Sequence, residues 1–400
     1  MRRRRHEYRV KIDIFSEIQR AGWERKKEGK LIGDSIELAK VADETGYGAW
    51  WQVEHNGSGA FSISSAPELF NAILARETQK IRLGQAGVLS PFKINHPLRV
   101  AARAAFTDIV SGGRVELGVA RSSGNEWTRF QVDGETTREE TSELLRMLPR
   151  MWSNDRFSWK SDLIEIPEVD VVPKPVQKPH PPMWLTGTAQ AAFEEAGGLG
   201  VGAIATTMLW PIESIKVLVD AYRQAIDACE EPAGDVMNDQ FGCFTFVHCA
   251  PSREEAIASG ACEAALWYAN TAPSVFNNPR GALVDAIRGL YAPDLESWRH
   301  SHEEKVEYAV DPDDPVPVVR LMNRQYLGME IDPEEAYEVL GAIDSVIIGD
   351  PDTCLAKMKK FEEVGVDRLL TLQQFGALQH KRVLGSLRLI GEELVPQIDV

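Results

Sequence analysis

Five short segments of this 400-residue chain place polar, titratable or glycine residues directly after runs of strand-forming side chains. They are Glu54-His55-Asn56-Gly57, Val88-Leu89-Ser90-Pro91, Ala120-Arg121-Ser122-Ser123-Gly124, Gly187-Thr188 and Gln373-Gln374-Phe375-Gly376. The imidazole of His55 can take up and release a proton near neutral pH, which suits it to acid–base work. Arg121 carries a planar guanidinium able to grip a phosphate dianion on two donors, with Ser122, Ser123 and nearby backbone N–H groups as further donors. A surface ion pair is the competing reading of Arg121. Gly187-Thr188 stands before a helical pattern, so Thr188 can cap that helix, or the helix N-terminus can stay open to an anion. Glycines bracket Gly84-Gln85-Ala86-Gly87, which marks either backbone that something approaches closely or a plain bulge.

Other chemistries lack their residues. Cys229, Cys243, Cys249, Cys262 and Cys354 are odd in number and form no Cys-x-x-Cys pair, so they read as reduced, mostly buried thiols rather than a disulfide framework or zinc site. The histidines show no His-Glu-x-x-His spacing, His300 and His302 fall in a charged stretch, and no metal centre is expected. A Gly-x-Gly-x-x-Gly dinucleotide fingerprint is also missing.

The elements that must position these segments alternate. Strand runs at 10–15, 47–53, 81–87, 114–119, 183–186, 201–206, 241–249 and 368–372 are interleaved with helical patterns at 31–44, 66–78, 97–111, 137–152, 189–197, 211–228 and 352–364. Pro97 opens the third of these helices, with Leu98, Ala102, Ala105 and Ile109 on one face, and Val383, Leu387, Ile390 and Leu394 stripe a last one. The Pro-rich stretch 167–182 must be extended or turning. This order predicts an α/β fold, a (β/α)8 TIM barrel over residues 10–400, whose active site sits at the C-terminal ends of the strands. An acidic stretch at about 270–345, with the turn-forming Asp311-Pro312-Asp313-Asp314-Pro315, reads as an insertion between strand seven and the last β/α unit, a lid near the barrel mouth. A separate second domain is the alternative.

Composition narrows the partners. At 44% hydrophobic the chain can bury a large core, and its formal charge of −16 argues against a nucleic-acid or anionic-membrane surface. Basic residues cluster only at Arg2 to Arg5, within a tail at 1–9 expected to be flexible. No run approaches the roughly 20 apolar residues that cross a bilayer and no apolar signal core follows Met1, so a cytoplasmic protein is expected.

Specific residues carry a resemblance. Trp51-Gln52-Val53-Glu54-His55-Asn56, Ile81-Arg82-Leu83-Gly84 onward to Pro91, His96-Pro97 and Ser111-Gly112-Gly113-Arg114 onward to Gly118-Val119-Ala120-Arg121 are similar, in order and spacing, to the bacterial luciferase-like flavin-dependent monooxygenases. Gly365 to Leu370, Gln374-Phe375-Gly376 and the helix to Pro396 resemble that family's last strand and helix. The resemblance implies a barrel that binds FMN in reduced form, supplied by a separate flavin reductase, and reacts it with O2 to a flavin C4a-hydroperoxide that oxygenates a small organic substrate. It places the flavin ring deep in the mouth and the phosphate at Arg121, Ser122, Gly187 and Thr188. His55 falls on the family's active-site histidine. Asn56 departs from the family's frequent Glu-His-His form, and an amide cannot shuttle protons at pH 7. Gln85-Ala86-Gly87 falls where the family has a non-proline cis peptide against the ring, which makes Ala86 and Gly87 flavin contacts. Asn56, Trp127 and Phe375 are expected to line the substrate pocket, although aromatic residues at strand ends are commonly core. The family also implies a homodimer. Two other readings stay open: an F420-dependent hydride-transfer enzyme on the same barrel, and a non-catalytic flavin-binding relative.

Overall fold

Each of the eight strand runs forms a strand: β1 (Lys11–Ser16), β2 (Ala49–Gln52), β3 (Arg82–Leu89), β4 (Val115–Ala120), β5 (Met183–Gly187), β6 (Gly202–Thr206), β7 (Phe241–Cys249) and β8 (Arg368–Leu372). The computed structural model describes residues 9–122, 124–275, 279–293 and 310–398. The tail expected at 1–9, except Arg9, lies outside these residues, as do Ser123, His300, His302 and the 276–278 and 294–309 parts of the insertion. Every strand pairs in parallel with the next, and β8 pairs back onto β1 with Lys11 opposite Arg368, so the sheet closes into the expected (β/α)8 barrel.

Large aromatic and charged side chains fill the barrel interior. Trp51 and Trp184, both fully buried, meet edge to face at 5.2 Å between ring centroids. Gly84 makes room for them, because a Cβ there would come within 2.2 Å of the Trp51 indole. The Trp51 Nε1–H donates to Asp13 at 2.8 Å and the Trp184 Nε1–H to Glu116 at 2.7 Å. Arg368 grips Asp13 on two donors, Nε at 2.6 Å and Nη2 at 3.0 Å, and its guanidinium lies over both indoles. The buried indole N–H groups and the Arg368 guanidinium thus meet carboxylates of opposite charge or polarity.

Three features of the chain differ from expectation. A two-stranded antiparallel ribbon, Phe157–Lys160 against Glu165–Val169, follows the 137–153 helix and takes in the start of the Pro-rich stretch. A short helix, Gly124–Phe130, follows β4 directly. The Pro97–Ser111 helix buries Val100, Ala101, Ala104, Ala105 and Asp108 and leaves Ile109 outside, so its core face is rotated from the expected stripe. The Pro-rich stretch 167–182 differs from expectation at 167–169, which belong to the ribbon, and is irregular beyond them, with cis Val172–Pro173 and Lys178–Pro179 bonds; Val383, Leu387, Ile390 and Leu394 are all buried.

The insertion is helical and begins earlier than 270. Helices Arg253–Ile257, Ala261–Val275, Arg280–Tyr291, Pro317–Tyr326 and Pro333–Gly341 lead to a three-residue strand, Ile347–Gly349, which pairs with Val247–Cys249 of β7 beyond the barrel wall. Arg288 clamps Asp314 of the Asp-Pro turn, Nη2 to Oδ2 at 2.6 Å, with both side chains largely buried. The Ala261–Val275 helix reaches the mouth: Trp267 stacks on Phe61, and the Asn125 amide donates to the Ser274 carbonyl.

Candidate functional site

Loops after β1, β2, β4 and β5 converge at the mouth. The β2 loop is fixed by carboxylates at both sides of His55. Glu54, 8% exposed, accepts from the Leu89 backbone N–H at 3.0 Å and from the Asn95 amide at 3.1 Å, tying the loop to the end of β3. Burial pushes the Glu54 carboxyl above its ordinary value, and these donors pull against that. Glu126, on the short helix after β4, accepts from the Asn56 backbone N–H at 2.7 Å and from the Ser122 hydroxyl at 2.6 Å. One buried side chain therefore bridges two strand-end loops.

His55 sits between these groups with a side-chain exposure of 12%. Its Nε2 is 3.8 Å from Oε1 of Glu17, the residue just after β1, and its ring meets Phe61 edge-on. Burial alone lowers the imidazole pKa; the nearby carboxylate of Glu17, with Glu126 and Glu54 behind it, outweighs burial and raises it above 6.5. Beside this set, in β3, the Ala86–Gly87 peptide bond is cis. A Cβ on Gly87 would come within 2.6 Å of the Val119 backbone, so strands β3 and β4 approach there as only glycine permits.

Arg121 is half-buried, with Nε and Nη2 on the Thr137 hydroxyl at 3.1 and 2.8 Å and its guanidinium 5.9 Å from the Trp127 ring. Trp127 in turn donates its indole N–H to the Arg121 carbonyl at 2.9 Å. Its indole thus braces Arg121. Ser122 departs from expectation: its hydroxyl proton goes to Glu126, which leaves it a poor donor to a phosphate. Thr188 is exposed and is not the cap of the next helix, whose N-cap is Ala189 with no side-chain bond. Gly187 packs its backbone against Ala192, where a Cβ would come within 2.6 Å. Phe375 is fully buried against Phe246 at 5.2 Å, within an aromatic layer that includes Tyr268 and Phe61.

Four residues matter here that strand-end reading passed over: Glu17, Glu126, Thr186 and Tyr268. Glu17 obeys the same strand-end rule as His55. Thr186 Oγ1, at the end of β5, is buried with no hydrogen-bond partner among the described residues. A buried hydroxyl beside an uncapped helix start and within the reach of the β4 loop is a place for an anionic or polar group, and with Arg121 it fits the phosphate end of a flavin. Two non-glycine residues in the left-handed region, Ile18 (φ 46) and Ser122 (φ 67), flank Glu17 and Arg121, a backbone arrangement that clusters at functional sites.

The family profile described as Luciferase-like monooxygenase matches residues 10–368. The chain belongs to that family. The flavin-dependent trigonelline monooxygenase, oxygenase component, of Acinetobacter baylyi is 27% identical over 287 residues, 71% of this chain and 76% of the relative. Among solved structures, the monooxygenase RslO1 from Streptomyces bottropensis superposes with a TM-score of 0.74 at 21% identity, covering 97% of this chain and 99% of that one. The oxygenating constituent of 3,6-diketocamphane monooxygenase from Pseudomonas putida, in complex with FMN, gives 0.66 at 17% identity over 97% and 98%. F420-dependent enzymes are also relatives: a glucose-6-phosphate dehydrogenase of Amycolatopsis mediterranei is 24% identical, with 51% of this chain aligned to 62% of that protein. Homologues named as monooxygenases mark the chain as an oxidoreductase of this family.

Proposed function

We propose that this chain is the oxygenase component of a two-part flavin monooxygenase, using reduced FMN from a separate reductase and O2 to oxygenate a small organic molecule. The observation that carries the reading is the enclosed His55 set at the mouth, locked by Glu54 to the strand that holds the Ala86–Gly87 segment. Bound reduced flavin would supply the electrons that activate O2. The protein's own part is binding, orientation, proton handling and exclusion of water. Arg121 and Thr186, with the Gly187-Thr188 backbone, would hold the phosphate; Ala86 and Gly87 would lie against the ring. His55 would give or take the proton that the oxygenation requires, with Asn56 hydrogen-bonding beside it and Trp127 shaping a wall, while the fully buried Phe375 backs the site rather than lining it. The insertion, seated over the mouth through Trp267 and Asn125, would serve as the lid. Among the described residues no helix is long and apolar enough to cross a membrane, and an intracellular site of action belongs to the proposal.

The F420 relatives support a second reading, hydride transfer without oxygen. One experiment separates the two: anaerobic titration with reduced FMN and reduced F420, followed by mixing with O2. Tight reduced-FMN binding and a transient spectral species between reduced and oxidised flavin support oxygenation; preference for F420 with no oxygen chemistry overturns it. Binding without either reaction would point to a non-catalytic relative. In the same titration Arg121→Ala is expected to weaken FMN about 10- to 100-fold and riboflavin far less, since a charge-assisted hydrogen bond contributes about 1.5–3 kcal/mol. Equal losses for both ligands would remove Arg121 from the phosphate.

A further inference from the structure

Glu17 is 3% exposed and has its two oxygens in different service. Oε2 accepts from the Gln19 amide at 2.6 Å, and Gln19 is itself held by Gly376 N–H at 2.7 Å, so the carboxylate cannot turn freely. Oε1 faces two donors. Tyr268, from the insertion helix Ala261–Val275, holds it at 2.8 Å, while His55 Nε2 stands off at 3.8 Å, beyond hydrogen-bond length. Tyr268 keeps its proton, because burial first and the Glu17 charge next push the phenol well above its ordinary value. It is therefore the donor to Glu17 near neutral pH.

We propose that Glu17 Oε1 is a shared acceptor through which the insertion helix, by way of Tyr268, governs proton uptake at His55. With the helix seated, Tyr268 takes the oxygen and His55 feels the carboxylate only at a distance. Without the Tyr268 hydroxyl the oxygen keeps its full charge toward His55, and a protonated imidazole is held more tightly. Glu17 is thus a positioning residue and Tyr268 the coupling between lid and base. The other charged groups that bear on the imidazole are Glu54 beside it in the β2 loop and Glu126 from the helix after β4. Tyr268 is well placed for such a role, since its ring is held against Phe61 at 5.0 Å and against Phe246 of β7 at 5.1 Å, which keeps the hydroxyl aimed at Glu17.

The proposal rests on the monooxygenase reading only for what the proton is used for, and its test needs no flavin. In the full-length protein labelled at histidine, the His55 resonance is identified by its loss in His55→Gln and followed against pH. The native midpoint is expected above 6.5. Glu17→Gln, which keeps shape and removes charge, should lower it by about one unit or more. Tyr268→Phe, which removes one hydroxyl from a ring that stays packed, should raise it. An unmoved midpoint in Glu17→Gln overturns the role of Glu17. An unmoved or lowered midpoint in Tyr268→Phe overturns the coupling, and this variant decides the matter if Glu17→Gln does not fold. Failure of the flavin titration would leave these shifts untouched.

Discussion

At His55 burial and charge pull in opposite directions, and the charge of Glu17, Glu126 and Glu54 prevails. The sign has two consequences. A histidine raised above 6.5 in the fold adds stability that is fully present below about that pH and is lost as pH climbs through the raised midpoint. The gap in unfolding free energy between native protein and His55→Ala should therefore shrink on going from pH 6 to pH 8 in urea titrations; a constant gap would contradict the raised midpoint. In turnover, His55→Ala is expected to slow the reaction about 10²–10⁴-fold while leaving flavin affinity nearly intact, the usual range for loss of an acid–base group. Equal activity would remove the histidine from the chemistry. His55 and Arg121 were legible in sequence because they follow strands, and a barrel presents its strand ends to one mouth. Glu126 and Tyr268 were not. Acidic residues and tyrosines on helices are ordinarily surface or core, and the Tyr268–Glu17 contact joins positions 251 apart in sequence.

Elements were legible in proportion to their burial. The eight barrel strands are rich in β-branched and aromatic residues and stood out. The Phe157–Lys160 and Glu165–Val169 ribbon did not, because it is short, half-exposed and carries Pro167, a residue that sequence reading takes as evidence against a strand. Ile347–Gly349 is three residues long and owes its existence to the β7 edge it completes. The Pro97–Ser111 helix shows another limit: alanines at four positions made two faces look alike, and packing against the 67–77 helix and the barrel chose between them. Within the strands, the Asp13–Arg368 pair locks β1 to β8 across the closing seam. Asp13→Asn leaves a buried guanidinium without its counter-charge, and about 3–5 kcal/mol of stability should be lost in denaturant titration. A loss below about 1 kcal/mol would mean that water or Glu116 takes over the partnership.

For the whole molecule, order and count of elements sufficed to predict the closed barrel, whereas the insertion's architecture depends on ion pairs such as Arg288–Asp314 that no periodicity announces. The rotated face of the Pro97–Ser111 helix also leaves Phe106 and Ile109 outside at 58% and 44% exposure, next to Leu69 and Ile73 of the neighbouring helix at 64% and 44%. Four large apolar side chains on adjoining helices are where the homodimer implied by the family resemblance would find a self-complementary contact. Phe106→Asp combined with Leu69→Asp should turn a dimer into a monomer in sedimentation equilibrium; a native chain already monomeric at micromolar concentration would dismiss the idea. The overhang of β7 has a different bearing, on any attempt to pare the enzyme down to its barrel. Val247, His248 and Cys249 exchange backbone hydrogen bonds with Ile347–Gly349, so excising the helices between them and that short strand would bare a raw sheet border with unpaired N–H and C=O groups. Such a border recruits strands from other molecules. A trimmed barrel would be lost to precipitation before its catalysis could be assayed, unless a charge or proline were written into that overhang first.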